Sequence, residues 1–498
     1  HEITYHAWFG IDENTLNANR TYNPAGEIYD DIGNLEGHYD RQFDEYLQDH
    51  YQLHLNQKLN TYTNLSLGLN YTWGRGAYEE YKDLWFEQNI NFSGENNFSY
   101  LGLQPYTIGG TTIDTTENII KKWLNNDYYV ATFSLNSQKG STAVNFGGMV
   151  SSYIGDHYGE LIFATNASAG LPRDRFYENQ GKKMEGNIYA KVNHQFNDLF
   201  SAYLDLQYRS ISYTAQGTLK GPENIDINED YGFFNPKIGV VYNYNPKNKL
   251  YFSFARAHRE PIRDDFEGGN PKPEELNDFE LGWRFTSKKS SFLANLYYMD
   301  YTNQLVLTGA INDVGAPLRE NVGKSSRLGI ELEGNFAFSS RWSWQPNITL
   351  SNNRNHDFYF ERDGKLVDLG NTKISYSPAV VAANIIAFSP TDDWRIVLLT
   401  KHVGEQYMGN IDSELSKLKD YTVTDINVNY QIIPQSLFKE INISLLLNNI
   451  LALKYVSNGY WGSYNDDYSE PGMVKTIEYA GYFPQAQFNF LTGVTLKF

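Results

Sequence analysis

Between Gln485 and Phe498 the chain reads QAQFNFLTGVTLKF, with Phe488, Phe490, Thr492, Val494, Leu496 and Phe498 on one side of an alternation and Asn489, Gly493, Thr495 and Lys497 mostly on the other. A period of two sends successive side chains to opposite faces of a strand, so the chain ends on a strand with one apolar face, closed by an aromatic. The alternation recurs. Leu65, Leu67, Leu69, Tyr71 and Trp73 oppose Ser66, Gly68, Asn70 and Thr72; Ala202, Leu204, Leu206 and Tyr208 oppose Tyr203, Asp205, Gln207 and Arg209; Ile441, Ile443, Leu445 and Leu447 oppose Asn442, Ser444 and Asn448. In a soluble sandwich the apolar faces form the core and the polar faces meet bulk water. In a large membrane barrel lipid takes the apolar face and a wet interior the polar one.

No run of about 18 apolar residues occurs, so a helical membrane span is excluded and a closed barrel is the remaining way to cross a bilayer. With 41% hydrophobic and 15% aromatic residues, 39 of them Tyr, the chain is too aromatic for disorder. Tyrosine also suits a membrane interface, where ring meets lipid and hydroxyl meets water. The lack of Cys fits a chain that crosses an oxidising compartment unfolded. A formal charge of −18 argues against nucleic acid as a partner. The sequence opens at His1 with neither an initiator Met nor a leader, which reads as a processed product or a piece of a longer chain.

Short turns are expected at Lys139-Gly140, Asn197-Asp198, Asn245-Pro246-Lys247-Asn248, Lys288-Lys289, Ser339-Ser340 and Thr391-Asp392-Asp393. Between them lie long Tyr- and Asn-rich stretches, Arg75 to Asp127, Gly155 to Gly181, Glu260 to Pro273, Asn303 to Ser325 and Leu451 to Pro484, which read as loops. Alternation of short and long connections places each kind on one side of a sheet, as in an up-and-down outer-membrane barrel and not in a propeller or sandwich. The expectation is an all-β, transmembrane antiparallel up-and-down β-barrel of about 18 strands, a single domain over 1–498, the first strand near Glu2 to Phe9.

Three segments carry a resemblance. FARAHREPIRDDFEGGNPKPEELNDFELGWRF (Phe254 to Phe285) resembles the signature of TonB-dependent outer-membrane transporters through Asn270, Pro271, Lys272, Pro273, Glu274, Glu280, Leu281 and Gly282, although a Leu of the family pattern is missing. NVGKSSRLGIELEGNF, with Asn321, Gly323, Gly329 and Glu331, is similar to a later strand of such barrels, and LLLNNILALKY, with Asn449 and Tyr455, to the element before the final hairpin. The terminal Phe498 belongs to the same pattern. Trp8 to Glu27, Ile119 to Tyr129 and the C-terminal segment look like a branch common in Bacteroidetes, whose members carry generic iron-complex or cobalamin receptor labels.

The resemblance implies a barrel of roughly 22 strands filled by an N-terminal plug. The motif beginning at Tyr5 usually follows several earlier strands, so the leader, the TonB-contacting box, the plug and about four strands would lie upstream. It further implies active uptake of a scarce bulky nutrient, a ferric-siderophore-type complex first, then cobalamin or haem. TonB-ExbB-ExbD would supply energy, with outer-membrane lipid, a small-molecule chelate and a surface lipoprotein as further partners. The other reading is a plugless pore or a scaffold subunit of a larger outer-membrane complex.

Ligand-binding candidates are the ring-bearing loop residues Trp85, Phe86, Tyr460, Trp461, Tyr464 and Tyr468, because rigid amphipathic rings give contact area at low entropic cost. Loss of Trp85 and Trp461 together is expected to weaken capture. Each could equally be an interface or loop-packing residue. Pro271 and Pro273 read as a loop re-entering a strand, Gly282, Gly323 and Gly329 as close approaches or bulges, and Glu274, Glu280, Glu331 and Glu333 as residues of the wet interior or of the plug contact. His50, His54 and His258 fit hydrogen-bonded polar positions better than haem ligands. Asp226, Asn228 and Asp230 imitate a calcium loop that Tyr231 interrupts. Asp466 and Asp467 read as solvated more readily than as a calcium site. No catalytic signature is visible, so neither an enzyme nor a cofactor is expected.

Overall fold

The computed structural model describes residues 2–6, 9–85, 97–167, 174–220, 223–266, 269–311, 317–434, 437–470 and 472–498. The backbone divides into two compact units. One joins His1–Phe9, Asn23–Val192 and Asp205–Phe234; the other joins Gly10–Tyr22, Asn193–Leu204 and Asn235–Phe498.

In the first unit Glu2–His6 pairs antiparallel with the start of Phe43–Lys58, which pairs in turn with Thr63–Lys82, Asn118–Lys139 and Thr142–Ala164 along the chain. Register aligns Leu53 with Leu69, Leu69 with Ala131 and Ala131 with Val150. Leu53, Leu69 and Val150 are 66%, 54% and 52% exposed, whereas Thr72 on the opposite face is buried. The apolar face is thus the outer one, the reverse of a soluble sandwich, and lipid is the solvent that makes such a surface favourable.

In the second unit the ladder runs through Asn248–Arg259, Glu274–Thr286, Ser290–Ile311, Pro317–Ala337, Trp342–His356, Val380–Phe388, Trp394–Val403, Tyr421–Ile432, Glu440–Asn448 and Asn489–Lys497, each pairing with the next. Leu281, Leu296, Leu328 and Leu350 are exposed along it, as are Phe490, Val494 and Phe498 at the end of the chain. Rings pair where strands begin after short turns: Trp342 with Phe388 at 4.2 Å and Trp394 with Tyr430 at 4.4 Å between centroids. Amphipathic rings collect at such a level because it is a lipid–water boundary.

All six expected short turns separate consecutive strands. Their chemistry is local. Asn197 Oδ1 accepts from the Leu199 and Phe200 amides at 2.9 Å, and Asn245 Oδ1 from those of Lys247 at 2.9 Å and Asn248 at 3.1 Å. Among the described residues 19 strands carry the ladders, one of them the two-residue Thr372–Lys373, against an expectation of about 18.

The stretches expected as loops need correction. Strands Thr63–Lys82 and Asn118–Lys139 take up both ends of the Arg75 to Asp127 stretch, Thr142–Ala164 and Arg175–Gln195 enter the next, and Ser290–Ile311 and Pro317–Ala337 enter the fourth. Leu451 to Pro484 is largely a hairpin of Val456–Asp466 and Lys475–Pro484. Crossing a bilayer takes about 9–11 strand residues. Beyond that height lipid no longer selects an apolar face, but the backbone can still pair, so Tyr, Asn and charged residues continue the strands and look like loops.

Candidate functional site

The long connections of the second unit fold on one another. Val306, Val322, Phe358, Ile374, Met408, Ile411, Leu418 and Trp461, drawn from four connections, form a buried apolar cluster. Asn410 is its polar keystone. Its Nδ2 donates to the Leu307 carbonyl at 2.6 Å, and its Oδ1 accepts from the Ser375 amide at 2.9 Å and from Asn355 Nδ2 at 3.2 Å. Tyr376 donates its hydroxyl to the Gly459 carbonyl, and burial pushes that phenol up to about 12. Glu478 accepts from Trp461 Nε1 at 3.2 Å and from Ser413 Oγ, and pairs with Arg362 at 3.5 Å.

Residues Gly10–Tyr22 complete this cap. Ile11 exchanges two backbone hydrogen bonds with Tyr482, at 3.0 and 2.8 Å, and Arg20 Nη2 donates to the Tyr455 carbonyl at 2.7 Å. The short helix Glu13–Ala18 is capped by Asp12, which accepts from the Thr15 amide at 2.9 Å. The hairpin Tyr359–Arg362/Lys365–Asp368 and the hairpin Val456–Asp466/Lys475–Pro484 are tied by Asp363 and Thr476, whose amides each donate at 2.8 Å to the other's side chain. With its own core and a hydrogen-bond network centred on Asn410, this cap is a preformed platform.

The expected ligand residues fall at different depths in it. Tyr460, Trp461 and Tyr464 share the strand Val456–Asp466. Trp461 is 4% exposed and is core, so its contribution is packing, the loop-packing alternative that its sequence left open. Tyr460 fills the space left by Gly10 and Gly481; burial, with the Tyr479 phenol and Asp12 carboxylate nearby, pushes its phenol up, so it stays neutral. Tyr464 is half-buried with Tyr479 at 6.5 Å, and Tyr468 is 72% exposed. Asp466 accepts from the Ser469 and Tyr468 amides at 3.0 and 3.3 Å, and hydrogen bonds from Ser469 draw its carboxyl below the usual range. In the first unit Trp85 is half-buried, stacked obliquely on Tyr29 at 5.1 Å and covering Gly33. Phe86 lies outside the described residues.

The motif residues turn out to brace the strand ends. Pro271 and Pro273 precede the strand that starts at Glu274. Asn321 Oδ1 accepts from the Lys272 amide at 2.6 Å while its Nδ2 donates to the carbonyls of Lys272 at 3.0 Å and Asn303 at 2.7 Å, so two motifs far apart in sequence clasp each other. Glu274 pairs with Arg259 at 3.1 Å and accepts from the Leu305 amide at 2.9 Å. Asn270 is exposed beside this clasp. A Cβ at Gly282 would overlap the Tyr251 ring, and one at Gly329 the Tyr297 ring, whereas Gly323 has open space around it and is no close approach. Glu331 accepts from Asn295 Nδ2 at 3.4 Å. Glu280 lies opposite Ser253 and Tyr297, and Glu333 opposite Leu293 and Asn347. Asn449, at φ 48°, holds its turn by accepting from the Leu453 amide at 2.9 Å and donating to the Leu453 carbonyl at 2.8 Å. Tyr455 stacks on Tyr421 at 4.5 Å, and Phe498 meets Phe438 at 5.0 Å.

The histidines are engaged by protein groups. His258 has Asn235 Oδ1 at 2.8 Å on Nδ1 and Glu275 Oε2 at 3.2 Å on Nε2; His50 sits 2.9 Å from Thr72 Oγ1, and His54 3.4 Å from Gln52 Oε1. Asp226, Asn228 and Asp230 lie within the continuous strand Glu223–Asn245. Among the described residues no group of three or more His, Asp or Glu is arranged to hold a metal ion.

A lipid-facing antiparallel sheet with short turns at one end and a packed cap on long connections at the other defines an outer-membrane-type β-barrel protein. The family model described as "TonB dependent receptor-like, beta-barrel" matches residues 4–450, and the chain belongs to that family. Solved structures agree in fold. The ferric-catecholate import receptor Fiu of E. coli K12 is similar over 100% of this chain and 71% of its own, at 15% identity and a TM-score of 0.64. The ferric citrate transporter FecA is similar over 99% and 66%, at 11% identity and 0.68, and the siderophore receptor PiuA of Acinetobacter baumannii over 99% and 70%, at 13% and 0.65. At these identities the likeness is one of fold. No curated protein matches the chain.

Proposed function

We propose that this chain is the barrel part of an outer-membrane receptor that takes up a small-molecule iron chelate with energy delivered through TonB. The observation that carries the reading is the family match over residues 4–450, and structural neighbours whose names specify ferric-catecholate, ferric citrate and siderophore receptors support the choice of cargo. The cap offers the capture surface, with Tyr468 the most exposed of the aromatic candidates among the described residues. A haem cargo is less well supported, since both ring nitrogens of His258 already have protein partners.

The test is growth of the host bacterium on single ferric chelates as sole iron source, with the gene intact or deleted and with TonB active or absent. Uptake of at least one chelate that needs both is the expected result. Uptake that persists without TonB would overturn the reading in favour of a passive pore, and no chelate dependent on the gene would remove iron as the cargo. In a capture-competent protein Tyr468→Ala should weaken chelate binding severalfold, read as Kd by fluorescence quenching.

A further inference from the structure

On the second unit the exposed row of Leu328, Ile330 and Leu350 gives way, toward the long-connection ends of the strands, to a group of bases. Register sets Ile330 opposite Leu350, Ser326 opposite Arg354 and Lys324 opposite His356, and Arg354 opposite Lys373. By strand parity Lys324, Ser326, Arg354, His356 and Lys373 face the same side as the exposed leucines. Ser326 Oγ and His356 Nε2 are 2.7 Å apart, His356 Nδ1 lies 3.3 Å from Asn371 Oδ1, and Arg354 Nε donates to Asn352 Oδ1 at 2.9 Å. Lys373 shares Glu405 with Lys417, at 3.4 and 3.2 Å. Among the described residues neither Lys324 nor Arg354 has a carboxylate within ion-pair distance.

Other bases lack an ion-pair partner among the described residues, Lys249 and Arg284 among them, but those two lie on the face opposite the exposed Leu281 and Trp283. Lys324 and Arg354 instead stand at the upper border of the lipid-facing surface. Arg and Lys there reach a headgroup layer, and a guanidinium, an ammonium and a hydroxyl together match the geometry of phosphate oxygens. We propose that Lys324 and Arg354, with the Ser326 hydroxyl held in place by His356, bind the phosphorylated headgroup of an outer-leaflet lipid whose acyl chains lie along Leu328, Ile330 and Leu350. Charge complementarity and continuity with the lipid-facing surface both select a lipid over a soluble anion. The site needs only the lipid-facing orientation of this side and is independent of what the receptor transports.

The experiment is native mass spectrometry of the full-length protein in detergent, titrated with phosphatidylglycerol or phosphatidylcholine, for wild type and Lys324→Gln/Arg354→Gln. The wild type should prefer phosphatidylglycerol by roughly tenfold to thirtyfold, as expected for two basic side chains near an anionic headgroup. The double variant should lose that preference, Lys324→Arg should keep it, and Lys139→Gln/Lys288→Gln at the short turns should leave it unchanged. Heat-modified gel migration shows that each variant is folded. No headgroup preference in the wild type, or the same preference in the double variant, would overturn the proposal. So would displacement of the lipid by millimolar inorganic phosphate, which marks a free-anion site, or a dimer that disappears in the double variant, which marks a protein contact.

Discussion

Replacing Trp461 with Ala should unlock the cap without loosening the sheet. A buried indole removes roughly 200 Å² from water, worth about 5 kcal/mol at about 25 cal/mol/Å², and large-to-small core changes at Trp cost about 3–5 kcal/mol. The lost hydrogen bond to Glu478 adds little, because that carboxylate keeps Ser413 and Arg362. A local cost of about 4 kcal/mol is therefore expected, carried by the cluster of Met408, Ile411, Leu418, Ile374 and Phe358. Hydrogen exchange reads it directly. Amides of Met408, Tyr376 and Tyr482, bonded to Ser416, Tyr407 and Ile11, should exchange about a thousandfold faster, since each 1.4 kcal/mol is a factor of ten. Trypsin should reach Arg362 and Lys365 sooner, while the unfolding midpoint of the sheet stays put. Unchanged exchange would refute the placement of Trp461 as core, and a sheet that melts together with the cap would refute their independence. Trp461→Phe should show the same effect at about half the size.

Further outcomes follow from individual contacts. Gly282→Ala should cost the folded protein about 1–3 kcal/mol in urea unfolding because the new methyl overlaps Tyr251, whereas Gly323→Ala, in open space, should cost almost nothing; equal effects would contradict the packing. Asn321→Ala removes three hydrogen bonds to the Lys272 and Asn303 backbones and should lower stability by about 1–3 kcal/mol, seen together with faster proteolysis in the 260–273 connection. Hydrogen bonding to Lys417, and then to Lys373, holds the Glu405 carboxyl below its ordinary value of 4.5. Because the folded pKa is lowered, its contribution is full above that value and is lost as pH falls through the folded pKa; Glu405→Gln should flatten cap stability below about pH 4.5, and an unaltered acid limb would count against the pairing.

Sequence reading found the strands wherever lipid enforces a period of two. Leu65 to Trp73, Ala202 to Tyr208 and Phe488 to Phe498 alternate because every second residue meets hydrocarbon, and the turns at Asn197 and Asn245 are legible because their side chains satisfy their own backbone. Above the lipid this pressure disappears. Thr63–Lys82 and Asn118–Lys139 continue as paired strands through residues that look like loop. Two further short connections were not anticipated although each carries a turn residue: 59–62, where Asn60 Oδ1 accepts from the Tyr62 amide at 2.9 Å, and the one that follows Ile432 with Pro434.

The motif segments show the same division. Asn270 to Glu274 and Asn321 to Glu331 identify the family from sequence, but nothing in either segment says that Asn321 clasps Lys272, a contact between residues 49 apart. Apolar residues scattered through a polar connection, Met408, Ile411, Leu415 and Leu418, were a signal of the cap's core that a search for aromatic ligand residues passed over. Trp461 and Tyr468 read alike in sequence and differ wholly in exposure.

The sequence by itself determined the class of this protein: an all-β chain with lipid-facing strands, asymmetric connections and the signature of TonB-dependent receptors. Those properties are written by local periodicity and short motifs, which the solvent on each face imposes residue by residue. Tertiary structure decided which rings are core and which are exposed, which motif glycines are close approaches, and where Lys324 and Arg354 meet the edge of the apolar surface. Each of these depends on partners distant in the chain, and burial and charge pairing are properties of the pair.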